Sequence, residues 1–130
     1  MRILSLRLIA FGAFEDREID LGRRPSALSI VYGPNEAGKS TSLRALEERV
    51  AGLHDDVDLV GIDSTDDAHR HAPRNLRVGG TIEASSGEIL RVVRRRGLKG
   101  TLRDDKDEVI DEAPLRALLR GIDREMFRTL

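Results

Sequence analysis

Gly33-Pro34-Asn35-Glu36-Ala37-Gly38-Lys39-Ser40 matches the pattern G-x-x-x-x-G-K-[ST] in full. The spacing suits a bound polyphosphate. Gly33 closes a tight turn, and Gly38 lets the main chain approach an anion closely. The backbone N–H groups of the loop and of the first helical turn form an anion nest. The helix N-terminus adds partial positive charge at the same point. Lys39, the candidate catalytic residue, is expected to reach the β- and γ-phosphates as a flexible point charge. The Ser40 hydroxyl is expected to ligate Mg2+, and Thr41 to contact the α-phosphate. Pro34, Asn35, Glu36 and Ala37 complete the expected binding loop. Glu36 is an anion beside a phosphate site, so its side chain is expected to face solvent or a partner subunit.

Such a loop needs a strand before it and a helix after it. Leu28-Ser29-Ile30-Val31-Tyr32 is a short apolar run that stops at Gly33-Pro34, which predicts a central strand covered on both faces. After the loop, Leu43, Leu46, Val50 and Leu53 recur at spacings of three and four and predict a helix with one apolar face, with Gly52 near its end. Upstream, Leu4, Leu6 and Leu8 alternate with Ser5 and Arg7, so residues 2–9 read as a first strand. Phe11-Gly12-Ala13-Phe14 turns the chain, and Ile19 and Leu21 mark a second short strand in a hairpin with the first.

Residues 54–75 carry six Asp before the first basic residue, Arg70, show no amphipathic period, and read as an acidic loop. Leu76, Val78 and Ile82 share one parity, Ser85-Ser86-Gly87 is a turn, and Ile89 to Arg96 is a return strand. Lys99 to Leu102 suggest a third short strand before the charged turn 104–107. Pro114 then opens a short helix through Leu115, Leu118 and Leu119, with Gly121 as its stop. Asp123 is the expected N-cap of a last helical segment, Arg124 to Leu130.

Composition bounds the rest. A length of 130 residues predicts one domain. The absence of cysteine excludes a disulfide scaffold and any thiolate metal or nucleophile site. With 22 basic and 23 acidic residues the net charge is −1, which excludes a globally basic nucleic-acid binder but leaves room for a basic patch. Three Phe, one Tyr and no Trp argue against a base-stacking platform. No segment approaches the roughly 18 apolar residues of a membrane span, so a soluble, cytoplasmic chain without a membrane partner is expected.

A hydrolase of this kind also needs an acidic residue at the end of a second apolar strand. Leu59 to Asp63 lies in the acidic loop and contains Gly61. Val109-Ile110-Asp111-Glu112 has only two apolar residues. Neither makes a good strand, so the chain is expected to hold a nucleotide site without its hydrolytic half.

The stretch through Leu46 resembles the N-terminal segment of SMC-type ATP-binding-cassette heads. There, two strands lead through an aromatic turn to a third strand and then to G-x-N-x-x-G-K-S-T, here Gly33 to Thr41. The Asn35-Glu36-Ala37 variant resembles the YhaN-like AAA ATPases more than the SMC cohesins or RecF, as do Leu76-Arg77-Val78-Gly79-Gly80 and Asp123-Arg124-Glu125-Met126-Phe127. Residues 54–75 and 97–108 match nothing specific. Many SMC-type heads carry Arg where Gly12 stands, so no role of that Arg is transferred.

The resemblance implies an α/β P-loop NTPase fold in which antiparallel strands flank the P-loop strand and helix. It implies that residues 1–130 are a partial head: 1–53 with strands, P-loop and helix, 54–75 an acidic loop, 76–130 a β-hairpin region and C-terminal helices. ATP and Mg2+ are the implied cofactors. The C-terminal half of the same head would supply the signature motif and second acid, and a second head would complete an ATP sandwich in a homodimer. The full-length protein would be an ATPase acting on DNA ends or with a nuclease, and these residues alone would be inactive. A small P-loop phosphotransferase and a non-hydrolysing nucleotide-binding module are the alternatives.

Weaker patterns have two readings each. Arg91, Arg94, Arg95, Arg96, Lys99 and Arg103 form a basic run. It fits DNA phosphates, but a solvated hairpin whose arginines pair with Glu83 and Glu88 is favoured. His69 and His71 lack further ligands at metal-site spacing, so an exposed polar loop is favoured. Tyr32 is expected to pack in the core rather than stack on a base.

Overall fold

In the computed structural model, residues 1–22, 29–34, 37–51, 71, 73–96 and 99–120 are described. Alternating leucines draw the first strand, β1 (Arg2–Phe11), onto one side of a sheet: Leu4, Leu6 and Leu8 are buried. Phe11 pairs with Phe14 across a two-residue turn, and Gly12 takes a φ of +58° there, the left-handed conformation that glycine tolerates at the head of such hairpins. The return strand β2 (Phe14–Asp20) starts earlier than Ile19 and Leu21 predict. Its sequence, FEDREID, hides it from a hydrophobicity reading because it is an edge strand with mostly exposed side chains. The ladder skips from Leu8–Arg17 to Ala10–Glu15, and Asp16 between them has a φ of +46°.

The expected hairpin follows as β3 (Arg77–Glu83) and β4 (Ile89–Arg95), joined through Gly87 at φ +88°. The backbone closes that turn with Gly87 N–H donating to the Ala84 carbonyl at 3.0 Å. The third short strand falls later than predicted, at β5 (Leu102–Arg103). The five strands are antiparallel throughout, in the order β2-β1-β3-β4-β5. In the acidic turn, Asp104 Oδ1 accepts from the N–H groups of Lys106 and Glu108, both at 2.9 Å.

Val78 and Ile82, four apart on β3, share a face of the sheet. The helix α1 (Lys39–Ala51) packs over Leu6, Leu8, Phe11 and Val78. The helix α2 (Ala113–Leu119) packs Leu115 and Leu119 over Ile82, Val92 and Leu102. Side chains of this kind stabilise by about 1.5–3 kcal/mol each when fully buried. The other face is polar and open. Ser5, Arg7, Glu18, Asp20, Thr81 and Arg91 line a shallow cavity of about 610 Å3 on it.

Three expectations fail. Ser29 to Gly33 form no strand, and Ile30, Val31 and Tyr32 are 72%, 50% and 90% exposed. A run of apolar residues records what a segment can bury. It becomes a central strand only when ladders flank it and layers cover it, and the described five-stranded sheet does not take it in. Tyr32 is therefore not a core residue. The helix face is also shifted: Ser42 and Ala45 meet the sheet with Leu46 beside them, while Leu43 is 62% exposed. The small side chain of Ala45 admits the helix closely over β1, and periodicity alone did not favour it over Leu43.

α2 stops where left-handed backbone appears at Arg120, φ +48°, rather than at the predicted Gly121, which lies outside the described residues. Of the expected acidic loop 54–75, residues 54–70 and 72 also lie outside them, and Pro73–Asn75 form a short 3-10 turn; the last segment, 121–130, lies outside them too. Among the described residues, no helix is long and apolar enough to cross a membrane.

Candidate phosphate-binding loop

The loop begins where exposed Tyr32 gives way to Gly33 and ends at the first turn of α1. Gly38 adopts a φ of +84°, the left-handed region that its lack of a side chain permits. Its carbonyl starts the helix, accepting from Ser42 N–H and from Ser42 Oγ, both at 2.9 Å. Ala37 N–H donates to the Pro34 carbonyl at 3.3 Å. The first turn of α1 holds no acidic residue, so the partial positive charge of the helix N-terminus is not offset there.

Lys39 bends back across the loop. Its Nζ donates to the carbonyls of Gly33 and Pro34, each at 2.6 Å. The two ends of the motif are thereby tied by one ammonium group. The same group has a third N–H to offer an anion. Ser40 is exposed and Thr41 half-buried in the first helical turn. Gly33, Pro34, Ala37, Gly38, Lys39, Ser40 and Thr41 thus lie in the loop and the first turn of α1. Asn35 and Glu36 lie outside the described residues.

The donor set fits a magnesium-bound polyphosphate. It combines a helix start free of carboxylates, a lysine held at the loop mouth and an exposed hydroxyl directly after it. If bound there, Mg2+ would be held through the Ser40 hydroxyl and would neutralise charge on the terminal phosphates.

The β1–β2 turn closes on this loop, which the spacing did not reveal. A Cβ at Gly38 would overlap the Phe14 ring, and one at Gly12 would come within 2.6 Å of Thr41 Cγ2. His71 Nε2 donates to the Phe14 carbonyl at 2.8 Å, so its imidazole is engaged in the fold and half-buried, not an exposed loop residue. His69 lies outside the described residues. Phe11-Gly12-Ala13-Phe14 is visible in the sequence as a turn. Its docking partners are distant in the chain, 24 residues from Phe14 to Gly38, 29 from Gly12 to Thr41 and 57 from Phe14 to His71, and no local pattern announces them.

Four arginines of the basic run have partners within the fold, and these are not the expected ones. Arg94 is buried on the helix side of the sheet, donating to Glu112 Oε1 at 2.5 Å and to Thr101 Oγ1 at 3.1 Å. Arg91 and Arg95 face Asp105 and Asp107 at 4.0 and 3.7 Å. Arg103 donates to the carbonyls of Gly100 and Asp107. Glu83 pairs instead with Arg2, its register partner on β1. The acidic turn 104–107 therefore takes the role given to Glu83 and Glu88. The same geometry leaves Glu112 engaged with Arg94, in keeping with the weakness of Val109 to Glu112 as a metal-site strand. The other such stretch, Leu59 to Asp63, lies outside the described residues.

A family model described as an AAA domain matches residues 1–130. A curated protein from Bacillus subtilis (strain 168), described as uncharacterized protein YhaN, is 30% identical over 135 aligned residues. That alignment takes in all of this chain and 13% of the relative, so the chain spans only a small part of the relative's length.

Proposed function

The chain belongs to this AAA-domain family as an N-terminal segment of the SMC/YhaN-like ATPase type, and from that premise we propose that it binds ATP with Mg2+ at Gly33 to Thr41 and contributes that site to an ATPase. One observation carries the reading: Lys39 stands at the mouth of a glycine-hinged loop, tied to its first two carbonyls, at the start of a helix whose first turn holds no acidic residue. In this arrangement the loop and helix start receive the polyphosphate, Lys39 offers charge to the β- and γ-phosphates, and Ser40 holds the metal.

Hydrolysis is assigned to the full-length protein. The C-terminal half of the same head supplies the missing acid, and a second head supplies the signature motif across an ATP sandwich. The exposed run Ile30-Val31-Tyr32 supports a head completed by further chain, because it offers apolar surface directly before the loop. A role on DNA ends or with a nuclease, in the cytoplasm, is supported by the resemblance to SMC-type heads. The Arg91 to Arg103 run lends no separate support to that role, since Arg91, Arg94, Arg95 and Arg103 face carboxylates or carbonyls of the same fold.

Replacing Lys39 by Ala in the full-length protein is expected to weaken Mg-ATP binding by at least about a hundredfold, read by titration calorimetry. Unchanged affinity would remove the nucleotide reading.

A further inference from the structure

The ring of Phe14 occupies space that any residue other than glycine at position 38 would need. Its Cζ and Cε2 atoms stand where a Cβ on Gly38 would be built. Gly38 is therefore constrained twice: its φ of +84° disfavours a side chain, and an aromatic ring covers the place one would take. We propose that Phe14 is a positioning residue of the nucleotide site, packed on Gly38 so as to hold the loop in the conformation that presents its backbone and Lys39 to a polyphosphate. The proposal rests on the nucleotide reading above.

Three contacts make the ring a brace rather than a loose neighbour. Phe14 pairs with buried Phe11 at the closed end of the β1–β2 hairpin, so its backbone belongs to the sheet. His71 holds the Phe14 carbonyl from the other side of the chain. Two residues earlier, Gly12 lies against the Thr41 methyl group, so the turn touches both the glycine before Lys39 and the first turn of α1. Gly38 in turn passes its geometry onward, because its carbonyl accepts two hydrogen bonds from Ser42 at the helix start.

The energetic logic is preorganisation. A glycine-containing loop has many conformations available, and binding an anion through main-chain N–H groups requires one of them. A ring packed on the hinge glycine lowers that ordering cost before the anion arrives. Phe14 needs no contact with the nucleotide to do this.

The test is a double-mutant cycle on Mg-ATP affinity in the full-length protein, with Phe14→Ala, Gly38→Ala and the pair. Phe14→Ala is expected to weaken binding about tenfold, and Phe14→Leu, which keeps an apolar contact, by less than about threefold. Gly38→Ala is expected to cost about a hundredfold in the parent, from backbone strain and from collision with the ring together. In the Phe14→Ala background the same change is expected to cost about tenfold or less, since only the strain is left.

Additive effects, or full affinity in Phe14→Ala, would overturn the proposal. A folded state is checked by the circular dichroism and thermal midpoint of each variant. If Phe14→Ala does not fold, the cycle is run with Phe14→Leu, which lacks an atom at the Cζ position, under the same criterion. Lys39→Ala separates the two levels of failure. Lost binding in Lys39→Ala with an additive cycle overturns the brace alone, and retained binding in Lys39→Ala overturns the nucleotide reading beneath it.

Discussion

The two helices lie on one face of one sheet, yet they are built in opposite ways. α2 comes down on large side chains: Leu115 and Leu119 fill the space over Ile82, Val92 and Leu102. Its neighbouring arginine, Arg94, is buried and answered by Glu112 and Thr101. α1 comes down on small ones, Ser42 and Ala45, and the chain just before its loop is exposed at Ile30, Val31 and Tyr32. One end of the sheet is finished with its own side chains. The other keeps exposed apolar surface and an ammonium group tied across its loop. The difference teaches that stability and chemistry are housed separately here, with a self-sealed core holding the sheet that carries the loop.

That division can be broken by substitutions at the finished end. Leu115→Ala should cost about 3 kcal/mol of unfolding free energy, because a fully buried leucine is removed from a packed cluster. Mg-ATP affinity of the folded protein should stay within about twofold. A denaturant titration paired with calorimetry checks both halves, and a large loss of affinity would show that the two ends are not separate.

Glu112→Ala should cost about 2 kcal/mol, because it strands the buried Arg94 charge; the value sits below that of a fully enclosed pair since Glu112 is 37% exposed. Adding Arg94→Met should recover most of that loss by removing the stranded charge, as chemical denaturation would show. At the unfinished end, Leu43→Ala should change stability by less than about 0.5 kcal/mol, since Leu43 points away from the sheet. A cost near that of Leu115 would place Leu43 in a core and overturn the helix orientation described above.

The same contrast explains what the sequence made legible. The finished end was readable because its signals are local. Leu76, Val78 and Ile82 share a parity, Ser85-Ser86-Gly87 turns the chain, and Pro114 opens α2. The phosphate loop was readable because its chemistry is carried by contiguous residues. What escaped depends on distant partners. Ile30 to Tyr32 have the composition of a central strand, but a strand is defined by its neighbours. Ala45 rather than Leu43 meets the sheet because close approach over β1 favours a small side chain, which hydrophobicity does not rank. Arg94 reads as surface charge until Glu112, 18 residues on, is brought beside it. Phe14 and His71 take their meaning from contacts with Gly38 and with each other.

Among the described residues β2 is an outer strand of the sheet, and that position has a bearing on solubility. An unpaired strand edge can template the addition of further strands, and so the growth of aggregates. Along β2 the seven residues include four acids, Glu15, Asp16, Glu18 and Asp20, against one base, Arg17, a net of −3. Two copies meeting along this edge would bring like charges together, and the left-handed kink at Asp16 would spoil the match of their backbones. The strand that carries the Phe14 turn to the nucleotide loop thus also keeps neighbouring molecules from extending the sheet.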